Sequence, residues 1–526
     1  MHSVGFLLRE MWRWICPFLI VATVLAQRAN AASESAEVNL DYVAQRALER
    51  AQQPFHSPRA NLPKALANLN YDQYREIRFR RDKALWTAGD LPFRVEFFHP
   101  GYIYQEPVHV YEFTATHVQP IRFVQDFFDY GDLTIQNQIP ASTGYAGFRI
   151  LYCLNQTNQL DELGAFLGAS YFRLLGRNQT YGQSARGLAL NCGETDRPEE
   201  FPIFTDWWLG KPQKGDTQLT LYALLDSVSC TGAYEFHIHP GETTVADVEA
   251  IIYMRDPKTI RAADTNAQPV NLLGMAPLTS MFWFGQGSER KFDDYRSGVH
   301  DSDGLLIKMN NGETLWRPLD NPAVMRHQVF TAPDIRGFGL LQRNRDFSAY
   351  EDLFTPFQTE PSVWVEPHSD WPHDGDLHLV ELSANWEGLD NIVAFWSPRI
   401  LPKPLTPFKF GYTLYWLTEM KLSDEKVVAT RIGLDPSCDN CRQIVIDFKG
   451  PKLDAIPTNS PPTAIANCSP NAAILFNQVV WNPFAHAWRV ALKMQPKTNE
   501  PVDLRCTLQQ GTNVVSETWT FQWSPP

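Results

Sequence analysis

The chain has 526 residues, 44% of them apolar and 20% charged. That balance excludes intrinsic disorder, and the length calls for two or three domains. The formal charge is −13, of which the first 31 residues contribute +2 and the remainder −15. An acidic chain without basic runs fits neither nucleic acid nor an anionic membrane surface as a partner. Aromatics reach 13%, with 16 Trp. That is enough to fill a core and leave rings for a binding surface, where Trp and Tyr pair an apolar face with a polar tip.

The first 31 residues read as an export signal. Arg9 and Arg13 precede an apolar run, Ile15–Ala26, too short to span a bilayer comfortably, and Ala29-Asn30-Ala31 is a small-x-small cleavage site. The arginines are not adjacent, so the twin-arginine route is not indicated, and Cys16 lacks the small residues of a lipoprotein site. The expectation is an exported mature chain starting at Ala32, soluble in the periplasm and not inserted in the membrane. Seven cysteines remain, an odd number, so at least one lacks an intramolecular partner. Cys438-x-x-Cys441 has no second CxxC or His pair to complete four zinc ligands, which leaves a local disulfide or two thiols.

Leu40–Gln52 is predicted as a helix: Leu40, Val43, Ala44, Ala47, Leu48 and Ala51 form one stripe, and Asn39 can cap it. Tyr71–Ile77 reads as a second, shorter one. From Leu91 the period becomes two, with Phe93, Val95 and Phe97 alternating with Arg94 and Glu96. Strand-like runs separated by turn signals continue to His378–Glu381, the pattern of a large antiparallel sandwich over 32–397. Pro398, Pro402, Pro404 and Pro407 then mark an extended connector over 398–407. Beyond it, 408–526 holds about seven strands, the number of an immunoglobulin-like sandwich. It opens with alternating Phe408, Phe410, Tyr412, Leu414 and Trp416 and ends with Trp519, Phe521 and Trp523 on one face.

His237-Ile238-His239 places two imidazoles on one strand face, a possible metal pair, but no third ligand is fixed by spacing. Gly168-Ala-Ser-Tyr and Gly182-Gln-Ser-Ala lack the second Gly and the strand-to-helix setting of a nucleophile elbow. The candidate chemistry lies elsewhere, in His300-Asp301-Ser302-Asp303 and Leu389-Asp390-Asn391-Ile392, each with an acid beside a strand-like apolar run. Such acids often serve as turn residues. Two of them brought together are also what hydrolysis of a sugar–sugar bond needs, one as acid and one as base. Around them lie Asp303, Trp316, Arg343, Asp346, Phe357, Trp364 and Glu387, the rings, carboxylates and guanidinia that would hold a neutral, hydroxyl-rich polymer.

These blocks carry a resemblance. Together with Gly168-Ala-Ser-Tyr-Phe-Arg173, Tyr181-Gly-Gln-Ser-Ala-Arg-Gly-Leu188, Gly274-Met-Ala-Pro-Leu-Thr-Ser-Met-Phe282, Trp316-Arg-Pro-Leu319, Gly337-Phe-Gly-Leu-Leu-Gln342, Arg345-Asp-Phe347 and Ser516-Glu-Thr-Trp519, they make the chain similar, nearly end to end, to the periplasmic osmoregulated-glucan biosynthesis proteins G and D. Leu414-Tyr-Trp416 and Leu504-Arg-Cys506 look nearer the D branch, and the export signal nearer the G branch.

The resemblance implies an all-β fold, with a large N-terminal sandwich similar to galactose mutarotase-like domains, bearing a glucan cleft, and a C-terminal immunoglobulin-like sandwich. It implies a periplasmic role with β-1,2-glucan carrying β-1,6 branches, no metal and no organic cofactor. The implied reaction is inverting endo-β-1,2-glucan hydrolysis, with Asp390 as general acid and Asp301 as general base acting through a long proton relay. The other role it allows is a non-catalytic glucan-binding partner of an inner-membrane glucosyltransferase. An inverting mechanism wants Asp390 in an apolar setting, expected from Leu389, Ile392 and Trp396, and Asp301 ionised beside His300 and Ser302. One departure stands out. Where relatives tend to carry a Tyr and an Arg before Pro361, this chain has Phe357 and Glu360.

Overall fold

A computed structural model describes residues 37–420, 424–438 and 440–525. The expected export signal, with Cys16, lies outside them. The chain is all-β, as expected, and is built as β-sandwiches. Among the described residues no helix is long and apolar enough to cross a membrane.

Two large sheets face one another. The first runs Phe93–Phe98, Gly147–Gln156, Gln159–Leu167, Tyr171–Leu174, Ser184–Arg186, Leu273–Ser280, Ile392–Pro398, Gly375–Glu381 and Arg326–Thr331. The second runs from Val118–Ile121 through His109–Phe113, Ile203–Gly210, Leu219–Asp226, Cys230–His239, Thr244–Met254, Phe408–Leu417, Ser362–Pro367, Ile335–Leu341 and Gly304–Met309 to Thr314–Pro318. Their inner faces share one core that includes Phe148, Phe166, Trp207, Phe236, Leu305, Phe338, Trp396 and Trp416. Removing this much apolar surface from water, at about 25 cal/mol per Å², does more than any other interaction to hold the sheets together.

The helix Leu40–Ala51 forms where predicted. Asn39 Oδ1 accepts from Tyr42 N–H, and Val43, Ala44, Ala47 and Ala51 are buried against the outer face of the second sheet. Arg50 reaches Asp206 and Asp226 on that sheet. Cys438 and Cys441 form a local disulfide.

The proposed division at 408 is corrected by the pairing. Phe408–Leu417, expected to open the second unit, lies inside the large sheet, antiparallel to both Thr244–Met254 and Ser362–Pro367. Its alternation is that of a strand with Phe410, Tyr412, Leu414 and Trp416 turned into the main core. The second sandwich forms from later strands. Lys426–Leu434, Arg442–Lys449, Ala487–Pro496 and Ala472–Asn482 make one sheet. Thr463–Cys468, Val502–Gln510 and Thr518–Trp523 make the other, and Leu315↔Thr518 and Trp316↔Trp519 join it to the large sheet in parallel pairing. Trp316 and Trp364 are buried in this second core, beside Trp488 and Trp519.

Candidate functional site

The two acids come from opposite sheets. Asp301 lies in the short connection between Val299–His300 and Gly304–Met309, and Asp390 lies two residues before Ile392–Pro398. What joins them is Asn391. Its buried carboxamide accepts from Phe282 N–H at 2.8 Å and donates to the carbonyls of Phe282 and Leu382, both at 3.0 Å. The neighbouring carbonyl, that of Met281, accepts the N–H of Asp301 at 2.9 Å. One strand edge, Met281-Phe282, thus positions both acids, and the charge of Asp390 is felt at Asp301.

Asp301 is buried at 8% exposure, whereas the side chain of Asp390 is 36% exposed. Burial first, and then the charge of Asp390, push Asp301 up to about 7; Arg173 and a hydrogen bond from Glu360 work the other way. Arg173, on Tyr171–Leu174, stands 3.7 Å from Asp390 and donates to Ser184 Oγ at 2.6 Å.

The settings expected for the two acids are therefore corrected. Leu389 is exposed, while Ile392 and Trp396 are buried in the core. Asp390 has a guanidinium beside it rather than an apolar jacket. His300 and Ser302 are turned to other partners: Ser302 Oγ bonds Ser280 Oγ at 2.7 Å, and His300 Nδ1 bonds Gln342 Oε1 at 3.0 Å. Burial lowers the His300 pKa, and its ring is stacked on Phe282.

The remaining candidate residues fall into two groups. Glu387, three residues from Asp390, is exposed and pairs with Arg296 at 2.7 Å. Arg296 also holds Asp294 at 2.8 Å and Asp352 at 2.9 Å, tying three loops into one rim with exposed Tyr295, Phe354 and Trp386. Asp346 is exposed on the turn before Phe347–Ala349. The others work behind the site. Asp303 Oδ2 accepts the N–H groups of Arg343 at 3.0 Å and Asn344 at 2.9 Å, clamping that loop. The Arg343 guanidinium lies 3.6 Å over the Trp316 ring and makes a two-pronged bond to Glu517 at 2.8 and 2.9 Å. Phe357 is buried with Tyr350, Met281 and Val299 beneath His300 and Asp301, and Trp364 is enclosed between the two cores.

Three residues near the acids were not among the candidates: Arg173, Glu360 and Asn391. Arg173 and Asn391 stand inside the blocks that carried the resemblance, but only folding shows what they touch. His237 and His239 bond Glu235 at 3.1 Å and Asp247 at 3.5 Å, on their own and the adjacent strand. Among the described residues Glu249, His368 and Asp370 bring donor atoms within 4.8 Å of one another. Both ring nitrogens of His368 are already engaged there, with Glu249 and Thr413 at 2.9 Å.

Residues 38–523 match the family described as periplasmic glucan biosynthesis protein, MdoG. The chain belongs to that family. Glucans biosynthesis protein G of Pseudomonas aeruginosa is 39% identical over 498 residues, 92% of this chain and 92% of that protein. The protein of the same name from Bradyrhizobium diazoefficiens is 40% identical over 509 residues, 96% and 97% of the two chains. That of Dickeya dadantii is 38% identical over 497 residues, 92% of each. Among solved structures, the alpha-galactosidase from Lactobacillus brevis shares 8% identity at a TM-score of 0.22 over 51% of this chain and 38% of that one, too slight a likeness to carry an argument.

Proposed function

We propose that the protein takes part in making periplasmic glucans by cutting or remodelling a β-1,2-glucan backbone. Family membership supports the role in glucan synthesis. The observation that carries the hydrolytic reading is the anchoring of both acids on one strand edge, Met281-Phe282: Asp301 through the Met281 carbonyl and Asp390 through its neighbour Asn391. Asp390 is reachable from solvent beside a rim of exposed rings that suit the apolar faces of glucose units. Asp390 protonates the leaving glycosidic oxygen. Asp301 draws a proton from the attacking water through the relay, and the anomeric configuration inverts. Substrate covering Asp390 excludes water from the reacting bond.

A second reading, a glucan-binding partner of an inner-membrane glucosyltransferase, is favoured by one observation: the guanidinium of Arg173 stands 3.7 Å from Asp390, on the side chain that a glycosidic oxygen would have to reach. Incubating the purified protein with linear β-1,2-glucan and following chain length separates the two. Shortening by wild type that disappears in Asp390→Asn supports hydrolysis. Binding without shortening leaves the partner role.

A further inference from the structure

Glu360 is 2% exposed and follows the single turn Phe357–Thr359. Its carboxyl occupies the space a side chain at position 182 would need: a Cβ on Gly182 would meet Glu360 Oε2 at 2.5 Å and Cδ at 2.9 Å. The guanidinium of Arg345 is spent on the main-chain carbonyls of Gln358 and Glu360, at 2.9 and 2.7 Å, and on Ser362 Oγ at 3.2 Å. Glu360 Oε2 is buried and receives no hydrogen bond. The carboxyl instead faces another buried acid, Asp301, close enough for each to act on the other's charge. Two carboxyl groups can share a hydrogen bond only if a proton lies between them, because an ionised carboxylate has nothing to donate.

We propose that Glu360 and Asp301 share one proton, and that Glu360 is the positioning residue that lets buried Asp301 serve as proton acceptor. This rests on reading Asp301 as the base. Glu360 keeps the proton because burial, and then the charge on Asp301, hold it well above the usual carboxylate range against the pull of Arg173 and Arg345. Its O–H donates to Asp301 and favours the charged form there. The other ionisable groups near the pair are Tyr350, Asp303, His300 and Asp390, with Tyr181 turned away to Glu162. The proton count closes. As water attacks the anomeric carbon and the glycosidic C–O bond breaks, Asp390 gives its proton to the leaving oxygen. The proton from water passes to Asp301, so the pair goes from one proton to two. After product leaves, the pair returns one proton to solvent and Asp390 takes one up.

The test uses the full mature chain and two variants. Glu360→Gln keeps an N–H donor but cannot ionise, and Glu360→Leu fills a similar volume with no donor. Carboxyl carbon NMR titration, with Asp301→Asn for assignment, reads proton sharing without any need for activity. The expected result is two linked steps in wild type, loss of the upper step in Glu360→Gln, and a rise of about one unit or more in the Asp301 midpoint in Glu360→Leu. With β-1,2-glucan, Glu360→Gln keeps kcat within about threefold. Glu360→Leu falls by about tenfold at pH 6 and recovers as pH rises. Independent single titrations in wild type, or equal losses in both variants with an unmoved acid limb, overturn the proposal. Linked titration in a wild type that cuts no glucan leaves the shared proton standing and removes the hydrolytic reading instead.

Discussion

Asn391 and Phe282 are bonded to each other twice, side-chain amide to main-chain N–H at 2.8 Å and to main-chain carbonyl at 3.0 Å. Such a reciprocal pair behaves like one extra rung of sheet ladder, set where the first sheet hands the chain over to the loop carrying Asp301. Its placement fixes Asp390 by one covalent step and Asp301 through the next carbonyl along, that of Met281. The acids are thereby held by backbone geometry rather than by each other, as the proposed hydrolysis would need of groups whose charges change.

Replacing that amide tests the linkage. Asn391→Leu leaves the N–H and carbonyl of Phe282 and the carbonyl of Leu382 without their partner inside a buried strand edge. The expected loss is about 2–4 kcal/mol in unfolding free energy. Glucan cutting by the fraction that remains folded should fall by at least about tenfold. A urea titration showing an unchanged midpoint would remove Asn391 from this role.

Asp301 makes stability depend on pH in a specific direction. Its folded value, about 7, lies above the unfolded value of about 4. The folded state therefore holds the proton more tightly. The contribution is intact below about pH 4 and is lost as pH rises toward the folded value. Asp301→Asn cannot ionise and escapes that loss. Near pH 4 it should match wild type, and at pH 8 it should be more stable by about 1–3 kcal/mol. Chemical denaturation at both pH values checks this, and a difference that does not grow with pH contradicts a buried ionisation.

Arg173 pulls both buried acids downward, and its side chain is 41% exposed. Because the pair with Asp390 is open to solvent, Arg173→Met should cost less than about 1 kcal/mol. The acid limb of kcat/KM should move up by about half a unit to one unit, since one cation favouring ionised Asp301 is gone. A pH–rate profile with an unmoved acid limb would exclude Arg173 from the electrostatics of Asp301.

Gly182 is required by volume. Gly182→Ala drives a methyl into the Glu360 carboxyl. The expected cost is about 1–3 kcal/mol, together with the pH behaviour of Glu360→Leu. Thermal melts and the pH–rate profile of the same preparation distinguish this from mere loosening: a destabilised variant with a wild-type acid limb would show that Glu360 had found another position.

Much of the frame was legible in the sequence because strands that alternate large apolar residues with polar or small ones announce themselves. The stripe Phe410, Tyr412, Leu414, Trp416 and the closing Trp519, Phe521, Trp523 both turn inward, as their alternation predicts. Strands buried on both faces were not legible. Every residue of Leu273–Ser280 is buried, so no alternation marks it, although it lies between Ser184–Arg186 and the strand that follows Asp390. The Pro-rich stretch after Trp396 signals an extended chain but not which sheet claims the next strand. Of the candidate site, the sequence offered two acids, through resemblance rather than spacing. Their settings were not, because burial, Arg173 and Glu360 reach Asp301 from distant parts of the chain. Composition around Leu389 suggested apolar cover, yet that side chain points outward.

The parallel pairing of Leu315 with Thr518 and Trp316 with Trp519 makes the flank of the large sheet depend on the second sandwich. Thr314–Pro318, which pairs on its other side with the strand leaving the Asp301 loop, completes its ladder only against residues far downstream in the sequence. Without them, Thr314–Pro318 presents an open edge. Removing Thr518–Trp523 would thus do more than trim the second sandwich: it would leave the large sheet with a sticky flank, ready to be captured by its neighbours or by proteases.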